Sequence, residues 1–436
     1  MNQRLGEVVQ KYRDGLTSVG FFLLALLFRL WHLGIPKGYI FDEVYYAKNA
    51  HSLLLHGVEM DNGKAEFIVH PPVGKWLIAL GIKLFGFNEF GWRFASALIG
   101  SLSIVLIFYV AKSLFESYFL SCLAATITLL DGLHLVHSRT ALLDIFLMFF
   151  LLLAFYFILQ SKHWWASIAL GLALATKWTG IYYLVAFFLF MIYVDYRAEK
   201  AMENQTPIKT LMQEKLLKRV TQFSILPIII YISSWMGWFL SPNGWDRDHS
   251  KNPLASLWYY HSQMWQFHTN LTDKHSYQSN PWAWLILGRP TSFFYATPKT
   301  CGASSCSQEI LALGTPLLWW SGVIALVATF GYWIVRREWQ SGLILLAFSA
   351  GYLPWFLIQK RTMFSFYAIA IEPFFILAIV YAVSKFLENN DPIRKYAVIA
   401  WVGLVALCFI NFLPIYVGAT TTYAAWFSRM WLPSWI

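Results

Sequence analysis

The feature that most constrains this chain is a succession of about eleven apolar runs, near 17–35, 91–111, 118–134, 140–160, 164–176, 179–194, 220–240, 312–334, 341–358, 363–386 and 395–416. A helix needs roughly 20 apolar residues to cross a bilayer, and lipid offers the backbone no hydrogen-bond partners. The runs therefore predict an all-α polytopic membrane protein of about eleven transmembrane helices. Composition agrees, because 58% hydrophobic and 13% charged residues in a chain of 436 exceed what a soluble core can bury. The first run lacks a small-residue cleavage site and reads as a retained span. No internal repeat or soluble module interrupts the pattern, so 1–436 reads as a single integral-membrane domain.

Basic residues near the ends of the runs set the orientation. The 195–219 segment carries Arg197, Lys200, Lys209, Lys215, Lys218 and Arg219, and Arg336-Arg337 and Arg394-Lys395 mark two further connections on the same side. That side is expected to be cytoplasmic, together with the N-terminus, in a plasma or inner membrane. Two long external or periplasmic loops result, about 36–90 and about 241–311. In the first, Val44 to His56 and Val73 to Phe85 have helical apolar spacing and are expected to lie at the interface. The tail from about 417, with Trp426, Trp431 and Trp435, reads as an interfacial anchor. Cys301 and Cys306 are expected to be bridged if 241–311 faces an oxidising exterior, whereas Cys122 and Cys408 fall inside apolar runs.

Chemistry is expected on the outer loops, and first at Asp42-Glu43, two adjacent carboxylates where the chain leaves the first run. The plainer reading is that Asp42 N-caps a helix from Val44 to His56, with Glu43 in its first turn and Gly57 as the stop. Cations recur at predicted outer ends: Arg29, Arg93, Arg139, Lys177 and Arg361, with His70 and Asp144 beside them in sequence. Each has a structural alternative, such as snorkelling for Arg29 and Arg93, an Arg139–Asp144 ion pair, a loop histidine at His70 or an interfacial anchor at Lys177. Taken together, cations converging on an acidic pair suit a site that holds a phosphate and abstracts a proton. Glu372, inside the tenth run, is a membrane carboxylate whose partner the sequence does not name.

The formal charge of +10 is spread between apolar runs, which points to lipid headgroups or an anionic lipid substrate and not to nucleic acid. There is no Gly-rich phosphate loop, no His-Glu-x-x-His, no zinc-spaced Cys/His set and no Gly-x-Ser-x-Gly. His134 and His137 alone do not make a metal site. Neither a cofactor nor a metal is expected.

The chain resembles the protein O-mannosyltransferases, membrane-embedded glycosyltransferases of the GT-C type that use a lipid-phosphate sugar. The resemblance rests on Asp42-Glu43, the run from His70 to Lys75, Arg93, the string from Ser138 to Asp144, the turn from Lys177 to Gly180, Leu353-Pro354-Trp355, and Arg361 through Tyr367. The order of these motifs along most of the chain carries it. About 70 residues at 241–311 leave no room for the large domain that eukaryotic members carry there, so the shorter bacterial form is the match.

The resemblance implies transfer of mannose, with inversion, from a polyprenyl-phosphate-mannose donor in the lipid bilayer to Ser or Thr of an exported protein. In that reading Asp42 is the general base and Glu43 orients the acceptor or the neighbours of Asp42. Arg93, Arg139, Lys177 and Arg361 stabilise the leaving phosphate, Arg29 braces the Asp-Glu loop, and His70 and Asp144 support. Two rivals are a transferase acting on lipid A or another glycolipid, and a transporter whose charges line a pathway; charges clustered at one surface argue against the transporter.

Overall fold

The computed structural model describes residues 2–202, 206–389 and 391–436. Helices dominate, and their boundaries follow local signals. The first is α1 (Asn2–Leu30), and after it α2 (Glu43–His56) and α3 (Val73–Phe85) occupy the two stretches expected to be helical. Gly57 ends α2 at φ +74°, the left-handed geometry that glycine adopts at low cost, with its N–H returned to Leu53 O. The next helix, α4 (Glu89–Phe115), is capped by the Asn88 side chain, and α3 packs along it.

A run of shorter helices follows: α5 (Tyr118–Leu129), α6 (Gly132–His137), α7 (Asp144–Leu159) and α8 (His163–Leu174). The third apolar run breaks because Asp131 caps α6 through the His134 N–H. Beyond them come α9 (Gly180–Ala201), α10 (Pro207–Ser234), α11 (Met236–Leu240) and α12 (Pro253–Asn270). The last long helices are α13 (Pro316–Arg336), α14 (Trp339–Tyr352), α15 (Glu372–Phe386) and α16 (Pro392–Val417).

Among the described residues, six helical stretches are long and apolar enough to cross a membrane: 89–115, 180–201, 207–234, 316–336, 339–357 and 392–417. By length and composition these six fall short of the eleven full spans expected. At 1.5 Å per residue, the 12 residues of α5 or α8 reach about 18 Å, short of a hydrocarbon core of about 30 Å. The expectation of an all-α chain is corrected by two small sheets. Strands β1 (Met60–Asp61) and β2 (Lys64–Ala65) form a hairpin. A second, antiparallel sheet has the order β3 (Thr291–Ala296), β4 (Cys306–Ala312), β5 (Thr420–Thr422). The turn before β4 is closed by the Cys301–Cys306 disulfide.

The C-terminal tail also departs from expectation. Trp426 and Trp435 are buried, and their indole N–H groups donate to Glu309 Oε2 and Leu287 O at 2.6 Å. Only Trp431 keeps a large exposed fraction, 44%. With β5 annexing the tail to the sheet, Trp426 and Trp435 pack inward and only Trp431 is left to face outward.

Candidate active site

Glu43 and Arg93 form a closed clamp, both fully buried. Arg93 Nε and Nη2 reach Glu43 Oε1 and Oε2 at 2.8 Å each. Its remaining N–H groups donate to Leu33 O, Pro36 O and Gly38 O at 3.2, 3.0 and 3.0 Å. All five guanidinium donors are thereby used. Glu43 also accepts from the N–H groups of Ile40 and Ala141 and from Trp92 Nε1. The pair fastens the 33–43 loop to α4 and to the segment before α7. The structure thus leaves Arg93 no free N–H for the phosphate contact expected of it, and the Glu43 carboxylate is occupied by the clamp.

Arg139 is also committed elsewhere. It donates to Phe28 O, Arg29 O, Trp31 O and His32 O at 2.7–3.3 Å, closing off the carbonyl end of α1. No Arg139–Asp144 ion pair forms among the described residues, and Arg139 keeps its Nε and one Nη2 N–H without a partner there. Arg29 does not touch the Asp-Glu loop either. It points inward to Ala25 O at 3.1 Å and His134 Nδ1 at 2.9 Å, while His134 Nε2 meets Ser103 Oγ at 2.8 Å. Glu372 is the buried carboxylate that attracts Arg29, although neither of its oxygens has a hydrogen-bond partner among the described residues.

With those groups spoken for, Asp42 stands apart. Its side chain makes no capping bond to α2 and no other hydrogen bond among the described residues. Burial pushes its carboxyl up to about 6, with Lys177 opposing the rise and Asp144 adding to it. The residue before it, Phe41, sits at φ +48°, strained for a bulky side chain. Aromatic packing holds it there: Phe41 stacks on Phe293 at 4.6 Å and meets Phe366 edge-on at 5.3 Å. Asp42 is thus aimed by the neighbours on either side of it.

Across from Asp42, Lys177 pairs with Asp144 at 2.8 Å and lies 4.4 Å over the Tyr367 ring. Lys177, Lys360 and Arg361 line one cavity of about 400 Å³ together with His70, Trp265 and His268. Arg361 donates Nε to His268 O at 3.2 Å and Nη2 toward His268 Nδ1 at 3.4 Å, so two of its five N–H groups are committed. His268 Nε2 bonds Val69 O at 2.8 Å, which makes Nε2 the donor and leaves Nδ1 to accept. Burial, followed by the flanking cations, holds His70 well below its usual range. His268 is likewise lowered to about 4, by burial and then Arg361 and Lys177 against the opposing Val69 bond. Both imidazoles are neutral at pH 7, so the positive charge of the cavity sits on Lys177, Lys360 and Arg361.

A second, apolar groove of about 760 Å³ lies beside the cavity between α9 and α14, lined by Val185, Leu189, Leu346 and Pro354. Tyr182 and Ile181 line both. His268 and Trp265 escaped sequence reasoning because 253–270 reads as loop. The available signal was Asn252-Pro253, a capping residue and an N1 proline ahead of eighteen helical residues. Tyr46, one turn beyond Asp42, was missed as well; its phenol is raised by burial first and then by Asp42 and Asp144. Among the described residues, no group of three or more His, Cys, Asp or Glu side chains gathers that could hold a metal ion.

Residues 19–89 and 69–212 match the family described as dolichyl-phosphate-mannose-protein mannosyltransferase, and residues 253–435 match the C-terminal four TMM region of protein-O-mannosyltransferase. The polyprenol-phosphate-mannose–protein mannosyltransferase of Mycolicibacterium smegmatis is 33% identical over 94% of this chain and 91% of its own length. The chain belongs to the polyprenol-phosphate-mannose–protein mannosyltransferase family. The Corynebacterium glutamicum member is 30% identical over 91% of this chain and 88% of its own. In fold, the chain is similar to the S. cerevisiae Pmt1–Pmt2 complex bound to the sugar donor, with TM-score 0.81 and 16% identity over 97% of this chain and 93% of that one. It is also similar to ArnT from Cupriavidus metallidurans bound to undecaprenyl phosphate, with TM-score 0.57 and 15% identity over 95% of this chain and 74% of that one. Family membership and apolar helices together make this a membrane protein with a GT-C type fold.

Proposed function

We propose that the chain transfers mannose from a polyprenyl-phosphate-mannose donor to Ser or Thr hydroxyls of exported proteins, at the outer face of a plasma or inner membrane. The observation that carries the reading is an uncommitted carboxylate, Asp42, within electrostatic reach of Lys177, which lines a cavity with Lys360 and Arg361 where these cations keep N–H groups free. In this reading Asp42 takes the proton of the acceptor hydroxyl as its oxygen bonds to the sugar carbon. The bond from that carbon to the phosphate oxygen breaks on the opposite face, inverting the centre and releasing polyprenyl phosphate. The cavity cations stabilise the charge that gathers on the departing phosphate. The apolar groove along α9 and α14 adjoins the cavity and suits the polyprenyl chain. A positively charged cavity adjoining an apolar groove favours a phospholipid-linked donor over a soluble sugar nucleotide.

General-base assistance is typically worth about 10²–10⁴-fold, so Asp42→Asn is expected to lose transfer by that factor while inserting and accumulating normally. The assay supplies membranes with polyprenyl-phosphate mannose and a Ser/Thr-rich peptide, and reads a peptide mass increase of one hexose. Undiminished transfer by Asp42→Asn moves the base elsewhere.

A further inference from the structure

The buried tyrosines differ in what holds their hydroxyls. Tyr183 donates to Ala370 O at 2.9 Å, Tyr381 donates to Glu338 Oε2 at 2.8 Å, and Tyr260 accepts from the Ile68 N–H at 2.9 Å. Tyr416 has no partner and is sealed from solvent. Tyr46, 8% exposed, fits neither case: its hydroxyl makes no hydrogen bond among the described residues and is not one of the sealed polar atoms. A buried polar group left open in this way calls for a partner that the protein does not itself supply.

The helix decides where that hydroxyl sits. The Tyr46 N–H donates to Asp42 O at 3.0 Å, so the two residues stand one turn apart on one face of α2. Long side chains on a helix lean toward its N-terminus, which carries the Tyr46 ring back over Asp42. The ring centre lies 6.1 Å from that of His70, which lines the cavity with Lys177, Lys360 and Arg361. Burial first, then Asp42, Asp144 and Tyr367, hold the phenol well above its usual range against Arg361. It is therefore neutral at pH 7 and within electrostatic reach of both the base and a cavity cation.

Displacement with inversion puts the acceptor oxygen, the sugar carbon and the departing phosphate oxygen in line, with Asp42 at the first and the cations at the last. A group that reaches both ends lies beside the middle, where the sugar is. The hydroxyl nearest the reacting carbon is the 2-hydroxyl on the adjacent ring carbon, the position at which mannose and glucose differ. We propose that Tyr46 recognises the donor sugar, its phenol oxygen accepting a hydrogen bond from the 2-hydroxyl. The inference rests on the transferase reading above and adds the protein group that selects the sugar. As positive charge grows on the reacting carbon, the neighbouring hydroxyl becomes a stronger donor, so the bond tightens in the transition state and acts on kcat as well as on binding.

The test compares wild type with Tyr46→Phe, which keeps the ring against His70 and removes only the oxygen. The full chain in proteoliposomes is given a Ser/Thr-rich peptide and either polyprenyl-phosphate mannose or its 2-deoxy analogue, and kcat/KM for each donor is measured. Because wild type and variant are compared within one donor, the reactivity of that donor cancels. Tyr46→Phe is expected to lower kcat/KM about tenfold with the mannose donor and by less than about twofold with the 2-deoxy donor. An equal loss with both donors makes Tyr46 a structural residue and overturns the proposal, as does undiminished transfer from the mannose donor. Failure of the wild type to modify the peptide, in a preparation shown to bind the donor, overturns the transferase reading and this inference with it.

Discussion

At the scale of residues, what distinguishes the cations is how many of their N–H groups the protein itself consumes. Arg93 spends all five on Glu43 and three carbonyls, and it is buried with its carboxylate. Arg93→Ala strands Glu43 without a cation, and breaking a buried pair of this kind costs about 3–5 kcal/mol. The expected result is a sharp loss of folded protein, read by thermal unfolding in detergent. Arg361→Ala is expected to fold normally and to raise donor KM about 10- to 100-fold, the worth of a hydrogen bond to a charged group. Asp42 makes a pH prediction. With its carboxyl raised to about 6, the base form dominates only above that value, so kcat/KM should fall about tenfold per unit below pH 6. An unperturbed aspartate would hold the rate down to about pH 4. Lys177 is the cation that lowers the Asp42 value, so Lys177→Gln should shift the acid limb of the residual activity upward. A limb left in place would separate Lys177 from Asp42.

At the scale of elements, the site depends on how closely α3 and α4 approach. A Cβ at Gly91 would overlap Gly86 O, and one at Gly81 would overlap Gly91 O; in both cases the obstacle is backbone, which cannot rotate aside. Gly91 lies two residues before Arg93, so spreading these helices pulls on the clamp beneath Asp42. Gly91→Ala is expected to cost about 1–3 kcal/mol by overpacking and to reduce transfer. Gly331→Ala, in a helix interior where nothing lies within 4 Å, is the control and should hold or raise the unfolding midpoint. A second such element is the region 253–270, where helix α12 carries His268 and Trp265 to the cavity and packs Leu257, Tyr260 and Met264 against Trp235 and Trp238.

At the scale of the whole molecule, large apolar side chains such as Leu16, Leu27, Val327 and Leu407 stand exposed on the long helices, the pattern of a chain whose solvent is lipid. The disulfide supplies an independent test of sidedness, because bridges persist in oxidising compartments. Thiol titration of denatured, unreduced protein is expected to find two reactive cysteines, Cys122 and Cys408. Four would remove the bridge, and labelling of Cys301 and Cys306 by a membrane-impermeant thiol reagent only after lysis would then place the loop, and the proposed outer site with it, inside.

The sequence by itself determined the elements that local chemistry specifies. Apolar runs declared a membrane protein, period and glycine marked α2 and α3, and ordered motifs pointed to the mannosyltransferase family. It also singled out Asp42 and Lys177, polar residues that stand where apolar segments end. The division of labour among the arginines was beyond it, because a sequence records the charge of Arg29, Arg93 and Arg139 but not which carbonyls will lie within about 3 Å of them. Only packing brought Leu33 O and Gly38 O to Arg93, the end of α1 to Arg139, and Glu372 near Arg29. Likewise, β5 joins a sheet begun more than a hundred residues earlier, a pairing that no local signal encodes. Hydrogen-bond saturation is a property of three-dimensional neighbours, and it decided which cations brace the fold and which remain free.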